Sequence, residues 1–254
     1  MRRLLGLLVL AVTGSALTAG AHVAPSVDDN NRYLKLTPLG DRIRLAYTVF
    51  FGEVPGAQTR PSIDTNHDRT ISDAEAQTFG DHLAAEVAAA LDVNIDGSQH
   101  PVTWNQVVVG LNTPSIAAGS FSVDMIAYLC LGGGATHHRV QLRDRFRLLR
   151  PGETEVKVED SPGIAIEHAR VGPADDPSHD YRFVGPGGPV ADDGLDLAFT
   201  VSAKAPAGGE GCKAAGPAPS RRGSFPIVWL VLLATVGLTA AGFGLWWHRR
   251  RGDG

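Results

Sequence analysis

Apolar and polar residues alternate through most of the middle of the chain. In "RYLKLTPLGDRIRLAYTVF", Leu34 and Leu36 alternate with Lys35 and Thr37, and Ile43, Leu45, Tyr47 and Val49 alternate with more polar neighbours. Pro38 to Asp41 supply a turn between the two runs, which predicts a hairpin with one buried face. The same period of two recurs around Val93–Ile95, Val107–Val109, Phe121–Leu129, Val140–Leu148, Val156–Val158, Ile164–Ile166 and Leu195–Val201. Asp96-Gly97, Pro151-Gly152 and Pro162-Gly163 punctuate the runs. Roughly eight to ten short strands of this kind predict a mainly β fold, an antiparallel β-sandwich.

One segment follows another rhythm. In "SDAEAQTFGDHLAAEVAAALD", Phe79, Leu83, Val87 and Leu91 fall four apart, with Asp73 and Glu75 in the first turn. This predicts an amphipathic helix over 73–91, with negative charge at the positive end of its dipole. The stretch before it, "FFGEVPGAQTRPSI", carries Pro55, Gly56 and Pro61, so no regular helix is expected there.

The two ends of the chain differ from its middle. "MRRLLGLLVLAVTGSALTAGA" has a basic start, an apolar core from Leu4 to Val12 and a small-residue site at Ala19-Gly20-Ala21, so residues 1–21 read as a secretory signal. Cleavage after Ala21 would leave His22 as the first mature residue, and cleavage after Ala19 would leave Gly20-Ala21-His22. Near the other end, Ile227 to Trp247 is uncharged and long enough to span a bilayer, and Arg249 to Arg251 follow as a stop-transfer cluster. A linker rich in Ala, Pro and Gly (203–224) precedes the span (225–247), and a basic cytoplasmic tail (248–254) follows it. The expected product is an exported domain, residues 22–202, in the periplasm or on the cell surface, held by one C-terminal span.

The chain has 254 residues with 23 Lys+Arg and 27 Asp+Glu. Setting aside Arg2, Arg3, Arg249, Arg250, Arg251 and Asp253 leaves 18 basic and 26 acidic side chains, so the exported part carries about −8. That balance excludes a phosphate-tracking nucleic-acid binder. Of the two cysteines, Cys212 lies in the linker. Cys130 lies in the apolar run "DMIAYLCL" and reads as a buried free thiol, although an oxidising compartment also permits a Cys130–Cys212 disulfide.

The candidate chemistry lies in "DTNHDRTISDAE", Asp64 to Glu75. Counting from Asp64, oxygen donors stand at positions 1 (Asp64), 3 (Asn66), 5 (Asp68), 7 (Thr70, through its carbonyl), 9 (Ser72, through a water) and 12 (Glu75). Calcium takes six to eight hard oxygens, and this spacing wraps them round one point, closing on a bidentate glutamate. Ile71, at position 8, is an apolar residue able to pin the loop to a partner. Arg69 stands at position 6, where glycine is expected. A left-handed backbone there costs a non-glycine residue about 1–2 kcal/mol, predicting weakened binding rather than a lost site. The competing account is a polar loop in which Ser72 and Glu75 form a helix capping box. A second stretch, "DVNIDGSQHPVT" from Asp92, has the same opening spacing and a glycine at position 6. It ends on Thr103, however, and the alternation of Leu91, Val93 and Ile95 predicts a hairpin turning at Asp96-Gly97.

The loop resembles an EF-hand at every ligand position. Together with the strand pair ending "LAYTVFFGEVP", the alanine-rich helix and "LDVNIDGSQHPV", it is similar to the exported N-terminal domain of bacterial membrane proteins related to nickel/cobalt permeases. That resemblance implies an accessory domain and no transport, because only one span is read here. The order of Cys212, Gly/Pro/Ser linker, span and basic end resembles the C-terminal sorting tail of myxobacterial surface proteins. It implies that Cys212 is a site of sorting or processing.

Three functions follow as expectations. The first is a calcium-binding, membrane-anchored extracytoplasmic module that binds or scaffolds an unidentified protein or surface ligand, with Ca2+ in a structural role. The second is transition-metal (copper or nickel) handling through the amine and imidazole of His22, with His137, His138 and His168 as possible contributors. The third is an enzyme, for which no G-x-S-x-G elbow, H-E-x-x-H, phosphate loop or Cys-x-x-Cys is present. The chain is therefore read as non-enzymatic. The acidic stretch containing Asp175, Asp176 and Asp180 reads as a solvated loop.

Overall fold

The computed structural model describes residues 28–132, 135–172, 174–175 and 181–205, together with Cys212. The fold is mainly β, as the alternation predicts. Strands β1 (Asn30–Pro38) and β2 (Arg42–Phe51) form the expected hairpin, and their inward residues Leu34, Leu36, Ile43, Leu45, Tyr47 and Val49 are almost fully buried. The chain then makes α1 (Glu53–Ile63), α2 (Asp73–Ala90), the short hairpin β3 (Leu91–Ile95) and β4 (Ser98–Gln99), and β5 (Trp104–Gly110). There follow β6 (Phe121–Cys130), β7 (His137–Asp144), β8 (Pro151–Val158), β9 (Ile164–Val171), β10 (Ala174–Asp175), β11 (Arg182–Gly185), α3 (Gly188–Asp192) and β12 (Leu195–Val201).

Two six-stranded sheets result. The first runs β11-β8-β1-β2-β6-β5 and the second β10-β9-β12-β7-β3-β4. Among the described residues every pairing is antiparallel except β1 with β8, which run parallel, so the first sheet is mixed and the second is antiparallel throughout. Their inner faces share one apolar core, from Tyr47 and Met125 on one side to Leu142 and Phe199 on the other.

A charged knot crosses that core. Arg32 of β1 donates to Asp144 of β7 at 2.7 Å, and the Tyr47 hydroxyl donates to the same carboxylate oxygen at 2.8 Å. The other oxygen accepts from the Phe146 backbone N–H at 2.9 Å. Burial pushes the Asp144 carboxyl up against the downward pull of Arg32. Burial also raises the Tyr47 phenol well above its ordinary value. Two charges taken out of water here are held by one another and by neutral donors.

Helix α2 lies over β5. The Trp104 indole N–H donates to the Ala84 carbonyl at 2.7 Å. Gly80 faces Val109 so closely that a Cβ at this position would stand 2.6 Å from a valine methyl. A side chain on that turn of the helix would push it off the sheet.

Cys130 is not a free thiol. It is bonded to Cys212 across 82 residues, with the two Cα atoms 5.4 Å apart. The physical reason is the strand's own alternation: Leu129 points into the core, so Cys130 lies on the outer side of β6, where the linker cysteine reaches it. Among the described residues no helix is long and apolar enough to cross a membrane. The signal segment and the span at 225–247 lie outside the described residues.

Candidate metal centre

The loop from Asp64 to Glu75 lies between two helices. The expectation of an irregular entry is overturned: α1 spans Glu53–Ile63, with both prolines inside it. Pro55 falls in the first turn, where backbone N–H groups have no intrahelical acceptor to lose. Pro61 falls in the last turn, where a single bond is forfeited and the helix ends soon after. The predicted exit helix, α2, ends at Ala90, since Leu91 is already extended as the cap. Ser72 caps it with both halves of a capping box in place.

Backbone geometry inside the loop follows the ligand spacing. Arg69, at position 6, is left-handed at φ 72°, and His67, at position 4, is left-handed at φ 61°. These two residues let the chain curl without regular structure. The Asp64 carboxylate reaches across the curl, accepting from the Asp68 N–H at 3.2 Å and from the Arg69 N–H at 2.9 Å. Asn66 accepts from the Asp68 N–H at 2.9 Å, and Asp68 accepts from the Thr70 N–H at 2.8 Å.

Glu75 closes the ring. One carboxylate oxygen accepts from the Thr65 N–H (2.8 Å), the Thr65 hydroxyl (2.9 Å) and the Asn66 N–H (3.2 Å). The other accepts from the Ser72 N–H (3.0 Å) and the Ser72 hydroxyl (2.8 Å). The Ser72 backbone N–H, followed by the Ser72 and Thr65 hydroxyls, holds this carboxyl down at about 2. It is therefore an anion at any ordinary pH, tying both ends of the loop together.

Thr70 and Ile71, positions 7 and 8, meet a segment that spacing alone does not reveal. Thr70 bridges antiparallel to Ser115, and the Ile71 N–H donates to the Pro114 carbonyl at 2.7 Å. Ile71 is buried, as a pinning residue should be. The 111–120 segment is itself organised by Arg60 of α1, which is fully buried. Its guanidinium donates to the carbonyls of Leu111, Thr113, Ser115, Gly119 and Ser120 at 2.6–3.1 Å and packs over the Phe121 ring. Sequence reasoning missed Arg60, because nothing in the pattern around it distinguishes a buried arginine from a solvated one.

The donor set can be tested against a cation on these observations. Asp64, Asn66, Asp68 and Glu75 all present oxygen, and the Thr70 carbonyl belongs to the same turn. Among the described residues no three His, Cys, Asp or Glu side chains form a metal-holding group by themselves. The loop depends on an amide and a carbonyl beside its three carboxylates, a set that suits a hard ion such as Ca2+ and offers no nitrogen or sulfur for a softer one.

The other candidates are not gathered into a site. Asp92 and Asn94 lie along β3, and the β3–β4 hairpin turns at Asp96 (φ 53°) and Gly97 (φ 82°), as expected for that segment. Asp96 accepts from the Arg139 N–H and lies 2.7 Å from the buried His138 ring. His137 lies beside Glu167 at 3.0 Å and His168 beside Asp196 at 3.6 Å. His22 and the side chains of Asp175, Asp176 and Asp180 lie outside the described residues. Cys212 is described only through its disulfide. No protein-family model matches the chain, and no curated protein matches it either.

Proposed function

We propose that this chain is a calcium-stabilised extracytoplasmic module, sandwich-like and non-enzymatic, held to a membrane by one C-terminal span and serving to bind or scaffold another surface component. The observation that carries the calcium reading is the helix–loop–helix itself. Oxygen donors stand at all six ligand positions, position 6 is left-handed, and positions 7 and 8 are tied to the 114–115 backbone by one isolated bridge and one N–H donor. The alternative of a capping box alone accounts for Ser72 and Glu75, but not for the curl from Asp64 to Arg69. A single loop bearing three carboxylates suits the weak range of extracellular modules, with Kd on the order of 10⁻⁴–10⁻³ M. At that affinity the ion acts as a brace, filled wherever calcium is plentiful, rather than as a signal.

The test is a thermal melt of the purified full-length protein. Calcium at ten times Kd adds about 1.4 kcal/mol of stability by mass action, so Tm rises with calcium and much less with magnesium. Glu75→Gln and Asp64→Ala abolish that rise, while Asp92→Ala leaves it intact. A wild-type melt indifferent to millimolar calcium would leave only the capping box.

A further inference from the structure

The link between β7 and β8, "RFRLLR" (Arg145 to Arg150), lies at the same end of the fold as the loop. Asn30, at the start of β1, is paired with both Phe51 and Pro151, and Phe51 is paired with Phe121. Phe146 and Leu148 tuck partly into the core. Leu149 does the reverse and is 84% exposed. A single exposed leucine is ordinary, but the mounting of this one is not. The Asn30 side-chain amide donates to the Leu149 carbonyl at 2.6 Å, and the Asn30 backbone N–H donates to the Arg150 carbonyl at 2.9 Å. Arg150 is held left-handed at φ 49°, a conformation that disfavours a bulky residue. The backbone is thus fixed while the leucine points to solvent.

Beside it opens a cleft of about 640 Å³ between this link and the two helices, walled by Phe51, Phe79, Leu83, Phe146 and Leu148, with Arg147 and Arg150 on the side of the link and one carboxylate, Glu86, on the side of α2, 3.3 Å from His82. Among the described residues neither arginine has a carboxylate within ion-pair distance. The exposed arginines that precede them are engaged: Arg139 and Arg143 of β7 with Asp196 and with the Asp193 carbonyl, and Arg145 of the link with Asp92. In a domain of net negative charge, two unpaired cations beside an apolar cleft and a rigidly held leucine are complementary to an occupant that is itself apolar and acidic. Asn30 lines the same cleft, is 3% exposed and keeps its side-chain oxygen without a hydrogen-bond donor.

We infer that this cleft is the docking site of a partner protein's peptide segment that sets one large apolar side chain beside Leu149 and a carboxylate between Arg147 and Arg150. The inference rests on reading the chain as a binding module and does not require the ion. If the melts ignore calcium and peptides still bind, the calcium reading falls alone. If calcium shifts the melts and no peptide binds, this inference falls alone.

The probe is a phage-displayed library of random twelve-residue peptides, panned on the full-length chain in phosphatidylcholine nanodiscs. The expected result is enrichment of sequences in which Leu, Ile or Phe stands close to Asp or Glu. Synthetic copies bind the wild type and lose at least about tenfold in affinity to Leu149→Ser and to the pair Arg147→Glu and Arg150→Glu. All three side chains are exposed or at the cleft edge, so the variants melt like the wild type, and Leu149→Ser serves alone if the charge pair does not. Enrichment lacking the acidic residue, or undiminished binding to the variants, would overturn the inference. So would dihexanoyl phosphatidylglycerol, kept below its micellar concentration, if it displaced the peptides with the same dependence on Arg147 and Leu149, because the cleft would then be a lipid site.

Discussion

Two segments of this chain open with aspartate, asparagine and aspartate at alternate positions, and they fold differently. From Asp64 the donors curl inward between two helices, and from Asp92 they lie along a strand and turn at Asp96 and Gly97. Ligand spacing therefore does not decide the outcome. What differs is the apolar partner of the pattern. Leu91, Val93 and Ile95 alternate with the polar residues, so a strand buries all three at once. Between Asp64 and Asp68 there is no apolar residue to bury, and the backbone is free to satisfy its N–H groups on the side chains of Asp64, Asn66 and Asp68. The glycine at the sixth position of the second segment serves the hairpin, while the arginine at the sixth position of the first serves the curl. Core-forming residues outweigh the residue preferred at a turn.

Four experiments press on this contrast. The largest effect belongs to Arg60, whose five carbonyl partners hold the 111–120 segment against the loop. Hydrogen bonds to a charged group contribute about 1.5–3 kcal/mol each, so Arg60→Ala should destabilise the protein by at least about 3 kcal/mol in urea unfolding. It should also shrink the calcium-induced rise in Tm, while amide exchange at Asp96 and His100 in the hairpin stays protected until global unfolding. Next comes Gly97→Ala. A Cβ at Gly97 would meet no atom within 4 Å, so the cost is conformational alone, about 1–2 kcal/mol, with the calcium response unchanged.

Arg69→Gly runs the other way and is smaller. Because Arg69 is already left-handed at φ 72°, its strain is incurred on folding rather than on capturing an ion. Relief of that strain is partly offset by the freer unfolded chain, leaving a gain of about 0.5–1 kcal/mol and little change in calcium Kd by titration calorimetry. An affinity that tightened tenfold would show that the loop curls only when the ion arrives. The last test is pH. The Glu75 carboxyl is depressed from 4.5 to about 2 in the folded protein. Its contribution is therefore complete above about pH 4.5 and is lost as pH falls through about 2. Wild type and Glu75→Gln should differ in Tm at pH 6 without calcium and converge toward pH 2.

Much of the architecture was legible in the sequence. Period-two burial placed β1 and β2, and the four-residue spacing from Phe79 placed α2 to within one residue at its end. Ligand spacing located the loop, and the apolar residue at Ile71 announced a partner without naming it. Other features were hidden for identifiable reasons. Proline content argued against α1, yet prolines in the first and last turns remove few bonds. The parallel pairing of β1 with β8, the ion pair of Arg32 with Asp144 and the clasp of Arg60 all join residues distant along the chain, and a local pattern carries no trace of them. Cys130 illustrates the limit. An apolar run suggested burial, but the period within the run set that one residue on the outside, facing a cysteine 82 positions away.

The bond between Cys130 and Cys212 also determines how the domain carries mechanical load. A pull applied through the residues beyond 212 does not reach the fold at the end of β12, a strand held between β7 and β9 in the second sheet. It enters at Cys130, on β6, a strand flanked on both sides by β2 and β5. Everything from β7 to β12 sits in a covalent loop that tension bypasses. In reductant the same pull would first unzip β12 from between β7 and β9. A force-extension trace should therefore show an early, low-force event that oxidation removes.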